Sequence, residues 1–228
     1  MSRMKASVTR RAATRDLFNL DDGLPPREAL GPGAALLRGF ALDREAEILS
    51  ALDAAVAAAP FRHMVTPGGQ TMSVAMTNCG AQGWITDRRG YRYERCDPLS
   101  GRPWLPMPDA FLDLAGSAAS AGGYEGFVPN ACLINLYEPG ARLTLHQDRN
   151  EGDFSAPIVS VSLGLPAKFL FGGLKRTDKV LRTMLEHGDV AVWGGPSRLA
   201  FHGVDVLKDG QHPVMGRRRI NLTLRKVG

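Results

Sequence analysis

The sequence predicts a mainly β fold with flanking helices, a sandwich or barrel. From Asn130 onward, short alternating or wholly apolar runs follow one another at close intervals through the 228-residue chain. The 26 glycines and 15 prolines supply the punctuation that many short strands need. Apolar residues at helical spacing occur in two stretches, both before Asn130. The length suits one well-packed domain, with no internal repeat.

Taken in order, residues 1–16 are basic, acid-poor and low in large apolar groups, and read as a flexible basic arm. Leu17 to Gly33, rich in Pro and Gly, reads as a loop leading to a strand over 34–40. Asp43 is placed to cap a helix running to Ala59, with Ile48, Leu49, Leu52 and Val56 on one stripe and Pro60 stopping it. A second helix is expected from Pro108 to Ser120, with Gly122-Gly123 as terminator. Between the helices, Trp84 to Arg95 interleaves aromatics with arginines. Such a surface can stack a base while neutralising phosphates, or it can be a polar hairpin whose aromatics half-bury. The strands then expected are 131–137, 143–147, 158–165, 168–171, 180–185, 190–193, 199–202 and 220–225.

Hydrophobic residues at 44% exclude disorder for the bulk of the chain. No apolar run reaches membrane-span length and no signal-peptide pattern is seen, so no membrane partner and a cytoplasmic location are expected. Three widely spaced cysteines (Cys79, Cys96, Cys132) fit reduced thiols better than a disulfide framework or a zinc cluster. The net charge of +5 suits an anionic partner such as nucleic acid.

The chemistry concentrates in Asn135 to Asp148, around His146-Gln147-Asp148. On a strand, residues two apart share a side, so imidazole and carboxylate would project into one space. A metal there needs a third ligand, and His202 is the candidate; two His and one carboxylate form the facial triad of non-heme Fe(II) oxygenases. An H-x-D pair alone is common, and His187-Gly188-Asp189 is a rival. There the glycine favours a turn, with both side chains serving backbone hydrogen bonds. His63 and His212 have no acidic neighbour at ligand spacing and read as surface or loop residues. In the last strand, alternation puts Arg219, Asn221, Thr223 and Arg225 on one face and Ile220, Leu222 and Leu224 on the other. Two inward guanidiniums call for an anion, and a dicarboxylate would satisfy both; a basic edge strand in solvent is the alternative.

Asn135-x-Tyr137, His146-x-Asp148, His202 and Arg219-x-Asn221-x-Thr223-x-Arg225 together resemble the AlkB family of Fe(II)/2-oxoglutarate dioxygenases, at the level of its bacterial members. The likeness extends over residues 17 to 226 and includes Met64 to Gly69, Met72 to Gly80, Pro157 to Gly164 and Glu186 to Gly195. It implies a double-stranded β-helix (jelly roll) with the metal between its sheets. One dioxygenase domain would occupy residues 17–228, with a nucleotide-recognition lid at residues 60–100. Fe(II) would be held by His146, Asp148 and His202, which are also the catalytic centre. The co-substrate 2-oxoglutarate would meet Asn135, Tyr137, Arg219, Asn221, Thr223 and Arg225, with Arg219 at its distal carboxylate and Arg225 nearer the metal. Substrate contacts would come from Trp84, Tyr91, Tyr93, Met76, Asn150 and Arg176, with Trp193 packing beside the iron.

The implied reaction consumes O2 and 2-oxoglutarate and gives succinate and CO2. It hydroxylates the methyl of a base such as 1-methyladenine or 3-methylcytosine, which then releases formaldehyde. One departure stands out: the family's bacterial pattern is H-Q-D-x-D-E, whereas this chain reads His146-Gln147-Asp148-Arg149-Asn150-Glu151. Asn150 keeps an acceptor oxygen and loses the charge that favours a cationic methylated base, which points to a shifted preference, towards RNA such as tRNA. A monomer acting on alkylated DNA or RNA is expected. The alternative is an oxygenase of the same superfamily acting on a protein or small molecule.

Overall fold

The computed structural model describes residues 27–228, so the expected basic arm and the start of the expected 17–33 loop lie outside it. Strands β1 (Arg27–Gly31) and β2 (Ala34–Leu37) open the described chain. Helix α1 (Glu45–Ala58) precedes β3 (Arg62–Val65), β4 (Thr71–Gly80) and a hairpin of β5 (Gly83–Asp87) and β6 (Gly90–Glu94). Helix α2 (Asp109–Ala121) leads to β7 (Ala131–Tyr137), β8 (Leu143–His146), β9 (Ile158–Gly164) and β10 (Ala167–Phe171). The chain continues through β11 (Leu181–Leu185), β12 (Val190–Trp193), β13 (His202–Val204) and β14 (Arg219–Arg225).

Eight strands form one sheet in the order β1-β2-β12-β9-β14-β7-β4-β3, and four form another, β11-β10-β13-β8. The pairings are antiparallel throughout. This is a jelly roll with two helices outside it. The two faces of the large sheet are assigned by period-2 alternation. Val159, Val161 and Leu163 of β9, with Ile220, Leu222 and Leu224 of β14, pack with Ile48 and Leu52 of α1 and Phe111 and Leu114 of α2. Burying each such side chain contributes about 1.5–3 kcal/mol. The opposite face meets the small sheet through Leu133, Tyr137, Phe169, Phe171, Trp193 and Val204. Polar residues of β14 and β7 lie between the sheets, and they define the site.

Several expected boundaries moved. Asp43 does not cap α1: it sits in a 3₁₀ turn over Leu42–Arg44, which feeds the helix without a side-chain cap. Pro108 is the N-cap of α2 rather than its first-turn residue. β1 replaces part of the expected loop, because β2 offers it an antiparallel partner. The expected 199–202 strand is displaced to His202–Val204, after a 3₁₀ turn at Gly195–Ser197. His187-Gly188-Asp189 is the expected turn, with Gly188 at φ 87°. Asp189 accepts the backbone N–H groups of Gly39 and Glu186, and His187 Nδ1 accepts that of Gly164.

Candidate metal centre and anion pocket

β8 and β13 lie side by side, and their register sets His146 directly opposite His202. The imidazole centroids are 4.4 Å apart. Asp148 follows β8 by two residues, and its carboxylate turns back between the two rings. His146 Nε2 is 3.6 Å from Asp148 Oδ1, and His202 Nε2 is 3.7 Å from Asp148 Oδ2. One ligand atom from each of the three residues falls within 4.8 Å of the others, so one ion could be bound by all three.

The ring tautomers suit that task. His146 Nδ1 lies 2.9 Å from the Thr144 carbonyl oxygen and His202 Nδ1 lies 3.0 Å from that of Ala200. A carbonyl oxygen only accepts, so each Nδ1 carries the proton and each Nε2 presents a lone pair. Burial, reinforced by the neighbouring His146, pushes the His202 pKa down to about 4, so its ring is neutral at neutral pH. Burial works against the Asp148 carboxylate, but Arg225 and then the two histidines outweigh it and hold its pKa well below the usual range. Two imidazoles that present Nε2 and one carboxylate are a donor set for a divalent transition metal.

Beside this cluster a cavity of about 460 Å³ opens between the sheets. It is lined by the three candidate ligands, by Asn135 and Tyr137 of β7, and by Arg219, Asn221, Thr223 and Arg225 of β14. Met76, Trp84, Tyr91 and Asn150 lie on the same wall system. Trp84 and Tyr91 stack on each other across the hairpin with centroids 5.7 Å apart, and Tyr91 is 48% exposed. Asn221 ties the floor together: its Nδ2 donates to Ser160 Oγ at 2.8 Å and its Oδ1 accepts from Thr223 and Asn135.

Arg219 is 1% exposed and has no acidic partner among the described residues. Its guanidinium lies over the Tyr137 ring, 4.9 Å from the centroid, and Nη2 donates to Ser162 Oγ at 3.0 Å. Nε and Nη1 have no hydrogen-bond partner among the described residues. Burial lowers the Arg219 pKa, yet a guanidinium stays charged, so the pocket keeps an uncompensated cation with free donors. A carboxylate delivered by a ligand answers that deficit.

Arg225 differs. Its Nη2 pairs with Asp148 Oδ2, its Nη1 donates to the Tyr93 hydroxyl at 3.0 Å, and its Nε lies 3.7 Å from Glu151 Oε1. Two of the expected substrate contacts are absent from the cavity wall. The Tyr93 hydroxyl is held by Glu151 and Arg225, and the exposed Arg176 lies over Phe201 at 4.9 Å. Sequence reasoning assigned no role to Glu151, Arg198, Ser160 or Ser162. Ser160 and Ser162 could have been found, since they alternate inward on β9, whereas nothing local marks Arg198.

Comparison with known proteins decides the family. The model of the 2OG-Fe(II) oxygenase superfamily matches residues 33–225. "Alpha-ketoglutarate-dependent dioxygenase AlkB" of Salmonella typhimurium (strain LT2) is 56% identical over 212 residues, covering 93% of this chain and 97% of that protein. The chain belongs to the AlkB family. This AlkB-family protein is therefore an Fe(II)- and 2-oxoglutarate-dependent dioxygenase, and O2 is its oxidant. "Nucleic acid dioxygenase ALKBH1" of Mus musculus is 37% identical over 122 residues, which are 53% of this chain and 31% of the mouse protein. The solved structure described as "The structure of OsALKBH1" superposes with a TM-score of 0.77 at 30% identity, covering 88% of this chain and all of that one. Among the described residues no helix of this AlkB-family chain is long and apolar enough to cross a membrane.

Proposed function

We propose that this dioxygenase removes alkyl groups oxidatively from nucleobases of the 1-methyladenine and 3-methylcytosine type, in DNA or RNA. One observation carries the reading. A single cavity holds the His146–Asp148–His202 cluster, an acid-free buried Arg219, and the aromatic wall of Trp84 and Tyr91. The first suits Fe(II) and the second the distal carboxylate of 2-oxoglutarate. The third suits a base taken out of its stack, as chemistry on a base inside a helix requires. The mouse relative's description as a nucleic acid dioxygenase supports the same class.

His146, Asp148 and His202 would hold Fe(II), which supplies oxidation of the alkyl carbon when 2-oxoglutarate and O2 are bound. The protein's own part is placement and charge. Both histidines keep their Nδ1 protons on backbone carbonyls, so Nε2 stays available without a rotamer search. Arg219 and Tyr137 fix the far end of the co-substrate, with Asn135, Asn221 and Thr223 as a polar floor and Arg225 beside the metal end. Trp84 and Tyr91 stack the extruded base, Met76 walls it, and Asn150 offers its amide to the base edge. Arg88, exposed at the hairpin tip, is placed to meet phosphates. Tyr93 and Arg176 act outside the cavity, Tyr93 as a tie to the hairpin and Arg176 on the nucleic-acid backbone.

The unit is a single dioxygenase domain over residues 17–228 with a recognition lid over residues 60–100, working as a cytoplasmic monomer. The experiment is 2-oxoglutarate-dependent formaldehyde release from 1-methyladenine in matched DNA and RNA oligonucleotides. Wild type should release formaldehyde with equal succinate, and His146→Ala should release none. Turnover on methylated peptides with none on oligonucleotides would move the reading to a protein oxygenase. Asn150→Asp should shift the DNA-to-RNA preference; an unchanged ratio removes Asn150 from specificity.

A further inference from the structure

Behind the metal cluster lies a closed group of charges. Glu151 is 2% exposed and Arg198 3% exposed. Glu151 Oε2 accepts from Arg198 Nη2 at 3.3 Å, and its Oε1 accepts from the Tyr93 hydroxyl. Arg198 in turn donates through Nη1 to the backbone carbonyl of Asp148 at 2.9 Å and through Nε to that of Ala156 at 3.0 Å. The Tyr93 hydroxyl also accepts from Arg225, whose other nitrogen grips the Asp148 carboxylate. Asp148 is thus held twice, at its main chain and at its side chain, and both grips lead to Glu151. Glu151 leads to Tyr93, which belongs to β6 of the hairpin carrying Trp84 and Tyr91.

From this connectivity we propose that Glu151 and Tyr93 are positioning residues that couple docking of the β5–β6 hairpin to the orientation of the Asp148 carboxylate. The proposal rests on the assignment of Asp148 as a metal ligand. A hydroxyl that donates to one charge and accepts from another fixes the hairpin in one place only when both charges are where they belong. Metal binding fixes Asp148, Asp148 fixes Arg225, and Arg225 with Glu151 fixes Tyr93. By linkage the effect runs equally in reverse, from a docked hairpin to tighter metal binding.

Tyr93→Phe tests this, since it removes one oxygen and keeps the ring, with Glu151→Gln as a second variant that retains an acceptor. Mn(II) serves as the metal probe, and two quantities are read on the full chain. One is amide hydrogen exchange across residues 90–94 with and without Mn(II) plus 2-oxoglutarate. The other is the Mn(II) dissociation constant. In wild type the loaded centre should slow exchange in β6 about fivefold or more, the low end of couplings between linked sites. Tyr93→Phe should abolish that slowing, with Mn(II) affinity weakened by a similar factor, while thermal unfolding stays cooperative; Glu151→Gln should keep part of both effects. Undiminished slowing in Tyr93→Phe overturns the proposal, and so does a wild-type hairpin indifferent to metal. Coupling that is present without any oligonucleotide demethylation leaves the proposal standing and overturns the substrate class instead.

Discussion

The two ends of the inner face of β14 carry the same side chain in opposite circumstances. Arg225 is buried among Asp148, Glu151 and the Tyr93 hydroxyl, so its charge is answered from within the protein. Burial lowers its pKa, but those neighbours more than reverse this and raise it well above the ordinary value. Arg219, six positions earlier on the same face, meets a ring and a serine hydroxyl, and its pKa falls. A buried charge without a partner is a cost to folding that a ligand can recover. The contrast separates what builds the metal end of the cavity from what waits at its far end. It also narrows the expectation that a dicarboxylate would satisfy both guanidiniums: Arg225 is already paired with Asp148, and Arg219 is not paired with an acid among the described residues.

The hardest way to break the contrast is Asp148→Ala, which takes a ligand from the metal and a partner from Arg225 together. Formaldehyde release should fall to the no-enzyme level, and urea unfolding of the metal-free protein should show a loss of about 3–5 kcal/mol. Next come the paired substitutions on β14. Arg225→Met leaves Asp148 and Glu151 short of a cation and should destabilise the metal-free protein by about 3–5 kcal/mol. Arg219→Met removes an unpaired charge and should leave stability unchanged or raised; an equal loss in both variants would erase the distinction.

A smaller effect concerns pH. The folded-state pKa of His202, about 4, lies below its ordinary 6.5. The unfolded chain therefore binds the proton first as pH falls. Stability of the metal-free protein is full above pH 6.5 and drains by about 3 kcal/mol as pH drops to 4. His202→Gln should flatten that slope in a pH series of unfolding curves. Smallest is Trp84→Ala, in the hairpin rather than the sheets. It should weaken oligonucleotide binding by about 1–3 kcal/mol, read by fluorescence anisotropy, with no change in the affinity for 2-oxoglutarate.

Much of this was legible in the chain because it is written in local periodicity. The alternation Arg219, Asn221, Thr223, Arg225 against Ile220, Leu222, Leu224 assigns both faces of β14, and the apolar half packs on the helices as that pattern demands. His146-x-Asp148 was visible for the same reason. β1 was not, since Arg27-Glu28-Ala29-Leu30-Gly31 has the composition of a helix and becomes a strand only because β2 pairs with it. The network around Glu151 was also out of reach. Glu151 and Tyr93 stand 58 residues apart and Arg198 lies a further 47 beyond Glu151, so no window of sequence holds them together. Tyr93 was expected among substrate contacts from the family resemblance, and its hydroxyl faces the charges behind the site.

In the proposed function Arg219 keeps its charge for the distal end of the co-substrate. The direct measurement is calorimetric titration of Mn(II)-loaded wild type and Arg219→Met with 2-oxoglutarate and with 2-oxobutanoate, which lacks the distal carboxylate. Wild type should prefer 2-oxoglutarate by about a hundredfold, the worth of two charge-assisted hydrogen bonds to a buried cation. Arg219→Met should bind the two alike, whereas a variant that still prefers 2-oxoglutarate by that margin would contradict the assignment.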